Sequence, residues 1–84
     1  MANVNYEKLV TELVKPITSH PNDVITKTLS ESNNVVTLQV LVHPEDLGRV
    51  IGKKGRVANA IRTIAYAAAI RQNKRLAIEI DSYE

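Results

Sequence analysis

Leu47-Gly-Arg-Val-Ile-Gly-Lys-Lys-Gly-Arg-Val-Ala-Asn-Ala-Ile-Arg62 holds every glycine of the 84-residue chain, at Gly48, Gly52 and Gly55. Glycine is the residue a chain uses where its backbone must turn sharply or come close to another group. From Leu47 to Ile78 there are eight Lys or Arg residues and no Asp or Glu, whereas the rest of the chain has three cations and nine anions. The net charge of +2 therefore conceals a basic segment of +8 and an acidic remainder of −6. A glycine loop inside a purely basic segment points to a polyanionic ligand, and the acidic remainder limits indiscriminate binding.

Outward from the loop, the pattern divides into regular elements. Tyr6, Leu9, Val10, Leu13, Val14 and Ile17 recur with helical spacing and predict a helix over residues 4–18, capped by Asn3 or Asn5 and ended near Pro16. Strands are expected at 24–32 and 35–42, joined at Asn33-Asn34, a pair suited to the positive φ angles of a tight hairpin. Val36, Leu38, Val40 and Val42 would share the buried face of the second strand. Pro44, Glu45 and Asp46 suit the first turn of a short helix reaching about Ile51. A longer helix follows from Arg56 to about Gln72, and Leu76, Ile78 and Ile80 alternate along a last strand at 75–81. The order α-β-β-α-α-β predicts an α+β domain spanning 1–84, with helices on one face of a three-stranded mixed sheet whose last strand runs parallel to the second.

Val50-Ile51-Gly52-Lys53-Lys54-Gly55, set between a short and a long helix, resembles the GxxG loop of a KH domain. The element order is that of the type II KH fold, and the chain is similar to the small stand-alone bacterial KH proteins of the KhpA type. The resemblance implies that the loop, residues 52–55, clamps about four nucleotides of single-stranded RNA. It further implies a base groove lined by Val50, Ile51 and Ala58 and by the sheet near Leu38 and Val40, with Arg49, Arg56 and Arg62 as phosphate or base-edge contacts. Ala58 stands where many KH domains have a larger aliphatic residue, which implies a shallower, less selective groove. The family also implies self-association and a larger KH-containing partner. On this reading the protein is a cytoplasmic RNA chaperone or post-transcriptional regulator. The alternative is an interaction module for which RNA is secondary. An aspartate pair, Gly52→Asp with Gly55→Asp, would repel phosphate while sparing the fold.

Other chemistries find little support. A Walker loop needs GxxxxGK[ST] after a strand, and here the spacing is shorter and the loop follows a helix. The chain lacks Phe and Trp, and none of its three tyrosines falls in the second or third strand, so no RRM-type stacking platform is expected. With no cysteine there is neither a disulfide nor a cysteine zinc site, and no stretch of about 18 apolar residues reads as a membrane span. His20 and His43 sit beside prolines as structural or exposed residues, no metal-ligand spacing is evident, and no catalytic constellation or cofactor motif appears. On the long helix, apolar residues cover an arc of about 200°, roughly twice what packing on a sheet needs. The excess makes Ile61, Ile64, Ala65 and Ala68 candidates for a homodimer interface.

Overall fold

The computed structural model describes residues 5–83. Helix α1 is Tyr6–Val14, strands β1 and β2 are Ile25–Ser32 and Val35–Val42, helices α2 and α3 are Pro44–Ile51 and Arg56–Ile70, and strand β3 is Arg75–Ser82. The sheet order is β1-β2-β3, with β1 antiparallel and β3 parallel to the central strand β2. This is the α+β arrangement with a mixed sheet expected of the type II KH fold.

The local rules act where the sequence places them. Asn5 caps α1 by accepting the Lys8 amide at 3.0 Å, while Asn3 and the expected helix start at residue 4 lie outside the described residues. The α-helix ends sooner than expected, at Val14, and Lys15–Ile17 tightens into a 3₁₀ turn around Pro16, whose ring cannot sit inside a continuing helix. Asn33 and Asn34 take φ of 51° and 66°, the left-handed pair that closes a two-residue hairpin. Along β2, Val36, Leu38, Val40 and Val42 are buried and alternate with more exposed neighbours. Tyr6, Val10 and Val14 of α1 join them in one core with Val50 of α2 and Ile61, Ala65 and Ala69 of α3.

That core divides the wide apolar arc of α3. Ile61 is 4% exposed and Ala65 fully buried, so both candidate interface residues face the sheet because their spacing puts them on the stripe shared with Ala58 and Ala69. They offer no free surface for a dimer. Ile64, 52% exposed, and Ala68, half-buried, remain of the four. Ile70, 68% exposed, lies near the end of the same helix.

Both border strands are held by charged side chains. Before the β1 bulge between Thr28 and Ser30, the Thr28 amide donates to Glu7 Oε2 at 2.9 Å, and the Thr28 hydroxyl donates to the same oxygen. On β3, the Ile78 carbonyl accepts from Arg62 Nε at 3.2 Å and from its Nη2 at 3.1 Å.

Candidate nucleic-acid interface

The loop between α2 and α3 takes its shape from two of the three glycines. Gly52 has φ 78° and ψ 171°, a region open essentially to glycine alone. A Cβ there would lie 2.5 Å from Val57 Cγ2 and 2.8 Å from the Val57 backbone nitrogen. The Gly52 amide still closes α2 by donating to the Gly48 carbonyl at 2.8 Å, so the chain leaves the helix and doubles back onto the first turn of α3. Gly55 is left-handed, at φ 75° and ψ 14°, and its amide donates to the Gly52 carbonyl at 3.1 Å. Between them Lys54 is also left-handed, at φ 57° and ψ 26°, an uncommon state for a residue with a Cβ and one that nothing in the local sequence signals. Gly48 is a different case. It sits exposed within α2 with no atom within 4 Å of where a Cβ would stand, so the turn does not require it.

The electrostatics follow from this shape. Lys53, Lys54 and Arg56 are exposed, and none of them enters an ion pair or side-chain hydrogen bond among the described residues. Gly55 supplies no capping side chain to α3, and the first turn of that helix has no acid. The open amides and the positive end of the helix dipole therefore reinforce the three cations at the loop.

The other two candidate arginines make contacts within the protein. Arg62 is committed to the Ile78 carbonyl, and its Nη1 lies 3.4 Å from Asn59 Oδ1. Arg49 donates to Ser19 Oγ at 2.9 Å and approaches Asp46 Oδ1 at 3.9 Å, although its side chain is 59% exposed. The expected apolar groove also needs correction. Val50 is fully buried and Ala58 is 3% exposed, both turned into the core, while Leu38 and Val40 are fully buried on the central strand rather than at an edge. The strand that both α2 and α3 pack against is β3. Ile51 is half-buried at the loop entrance.

One first-turn acid of α2 has a role that the local sequence does not signal. Asp46 is fully buried and accepts from the Ser19 amide at 2.9 Å, the Ser19 hydroxyl at 2.9 Å and the His20 amide at 3.0 Å, with His20 Nδ1 at 3.3 Å. These bonds, led by that from the Ser19 backbone, hold its carboxyl well below the usual range, at about 2, although burial acts in the opposite direction. Asp46 thus ties the turn after α1 to the start of α2, and so positions the helix that leads into the loop.

A family model described as KhpA/KhpB, KH domain, matches residues 7–80. RNA-binding protein KhpA of Listeria monocytogenes is 45% identical over 74 residues, covering 88% of this chain and 96% of its own. KhpA of Bacillus subtilis is 39% identical over 80 residues, covering 95% and 98%. Among solved structures, a variant of Era from Aquifex aeolicus bound to GDP and AlF4− superposes with a TM-score of 0.74 at 17% identity, covering 98% of this chain and 33% of that one. Era in complex with MgGDPNP and nucleotides 1506–1542 of 16S ribosomal RNA gives 0.67 at 20% identity, covering 92% and 29%. The chain thus spans about a third of each Era structure, and at these identities the likeness concerns the fold. The loop, the topology, the family model and the relatives agree: this chain belongs to the KhpA/KhpB family of KH-domain proteins.

Proposed function

We propose that this chain is one KH domain that binds single-stranded RNA and acts without catalysis, in the cytoplasm, as an RNA chaperone or post-transcriptional regulator. The observation that carries the reading is the Gly52–Gly55 loop, whose Lys53 and Lys54 stand exposed beside Arg56 at the open amino end of α3. Phosphates are attracted to the three cations and to the helix amides, and the tight loop lets the sugar-phosphate chain come near the backbone. The relatives' own names, RNA-binding protein KhpA, support RNA as the ligand. With Val50 and Ala58 buried, backbone contact outweighs base reading, and low sequence selectivity follows.

The substitution that tests this is a charge reversal at the loop tip rather than at the glycines. The Gly52→Asp, Gly55→Asp pair does not isolate the clamp, because any side chain at Gly52 collides with the Val57 backbone. Lys53→Glu with Lys54→Glu leaves both glycines and all core residues in place. In fluorescence anisotropy with labelled single-stranded RNA, the pair is expected to weaken binding about ten-fold or more at moderate salt. For the wild-type protein, log K should fall with log salt at a slope of roughly −2 to −3, as three or four phosphate contacts on a single strand require. A folded double variant that keeps its affinity would remove the loop from the interface. Parallel DNA oligomers give the preference between the two nucleic acids.

The exposure of Ile64 and Ile70 favours a second role for α3 as a pairing surface. We assign Ile64 and Ala68 to contact with a second copy or with a larger KH-containing partner, a reading the joint KhpA/KhpB family name supports. Two linked clamps would raise affinity for one RNA without any new type of contact. Ile64→Glu is expected to shift a dimer to monomer in sedimentation equilibrium while each monomer retains weak RNA binding. A wild-type chain that stays monomeric at hundreds of micromolar would leave the partner as the remaining occupant.

A further inference from the structure

Away from the loop, two histidines that lie far apart in sequence meet at the start of α2. His20 and His43 stack with ring centroids 3.9 Å apart and planes within 10°. The buried Asp46 carboxylate faces His20 Nδ1 at 3.3 Å, and in the tautomer that places the proton on this nitrogen, Nε2, 3.6 Å from Glu45 Oε1, carries a lone pair. His43 Nδ1 accepts the Glu45 amide at 3.0 Å, hence it also carries a lone pair, and it lies 4.0 Å from the same Glu45 oxygen. In that tautomer three electron-rich atoms face one another. One ligand atom from each residue lies within 4.8 Å of the others.

We propose that His20, His43 and Glu45 form a binding site for a divalent transition-metal cation of the zinc class. Bonds of about 2.0–2.1 Å set tetrahedral ligands about 3.3 Å apart, so the separations of 3.6 and 4.0 Å to Glu45 must contract by about 0.3 and about 0.7 Å, and the two imidazole nitrogens, within 4.8 Å of each other, must close as well. Each metal–nitrogen bond lies in its ring plane and the two planes are nearly parallel, so the rings must rotate out of their stack for both nitrogens to reach one ion. The ion takes over the His43 lone pair from the Glu45 amide, which turns to water at the exposed helix start. Water completes the coordination.

Two features distinguish this cluster from a chance meeting of surface side chains. The contact from His20 Nδ1 to a buried carboxylate is the outer-shell bond that fixes the tautomer and orientation of a metal-ligating histidine. Asp46 is itself held by the Ser19 and His20 amides, so this bond is anchored in the backbone. Nitrogen ligands from two imidazoles with one carboxylate suit zinc, nickel or copper better than magnesium or calcium, which take oxygen sets. The three side chains are 36%, 32% and 72% exposed, which leaves the ion a path from solvent. Bound there, it would clip the turn after α1 to the first turn of α2.

Calorimetric titration of the chelator-treated full chain with Zn2+ is expected to show one ion per chain. A rise in Tm of roughly 10 °C or more is expected with free Zn2+ about a hundred times its dissociation constant, reversed by EDTA. Glu45→Gln changes an exposed side chain that the core does not use, and it should weaken the ion's affinity at least about ten-fold. His20→Gln should do the same. The absence of saturable binding, as when a proton on His20 is the only cation the cluster accepts, overturns the site. So does a Glu45→Gln chain that folds and binds Zn2+ as tightly as wild type.

Discussion

Gly52→Ala is expected to destabilise the domain by roughly 3 kcal/mol or more, a large part of the 5–15 kcal/mol that small domains possess. The cost has two sources. The backbone at φ 78° and ψ 171° is hostile to any Cβ, and the added methyl would stand 2.8 Å from the Val57 nitrogen, a backbone atom that cannot rotate away. In thermal unfolding the variant should melt roughly 15 °C below wild type. The other two glycines calibrate the result. Gly55→Ala meets only Asn59 Nδ2 at 4.0 Å and carries left-handed strain alone, about 1 kcal/mol. Gly48→Ala, in open space on a helix, should stabilise by about 0.5–1 kcal/mol. Three glycines within eight residues thus yield a large loss, a small loss and a gain. Equal losses at Gly52 and Gly55 would mean that the collision with Val57 does not govern the loop.

Asp46→Asn is the second large effect, with Tm expected to fall by on the order of 10 °C. An amide in place of the carboxylate turns a donor toward either Ser19 or His20, which are themselves donors, and removes the charge those bonds favour. Its pH dependence has a definite sign. The folded carboxyl titrates at about 2, below its ordinary value of 3.8, so the unfolded chain binds the proton more readily. The stabilisation from Asp46 is therefore complete above about pH 4 and is lost as the pH falls toward 2. Urea melts at a series of pH values should show a constant gap between wild type and variant from pH 7 to about pH 4, narrowing below. A gap that is small at neutral pH, or unchanged down to pH 2, would contradict the assignment.

The parts of the molecule legible from the sequence are those set by local rules. Asn33-Asn34 announces a hairpin, the α1 stripe announces an amphipathic helix, and Gly52 with Gly55 between two helical patterns announces the loop. What local rules do not carry is which elements touch. Leu38 and Val40 were expected beside a groove, but β2 is central and closed in by strands on both sides. The wide arc of α3 held both core and outer residues, and only its seating on the sheet separates Ile61 and Ala65 from Ile64. Arg62 looked like a free cation until Ile78, sixteen residues on, supplied a carbonyl. Asp46 and His20 meet across twenty-six residues, a contact that leaves no periodic trace in the chain.

The two charged helix side chains that bond the outer strands bear on how copies of this protein can assemble. An open sheet invites a neighbouring chain to add a strand, and repetition of that step leads to fibres without end. Here Glu7 already occupies an amide on one outer strand and Arg62 a carbonyl on the other. An arriving strand would have to displace an anion from the first or a cation from the second, and so would meet opposite charges at the two borders. Strand-by-strand growth is disfavoured in both directions, whereas the pairing proposed for the exposed side of α3 would close two matching surfaces on each other and stop at a finite number of subunits.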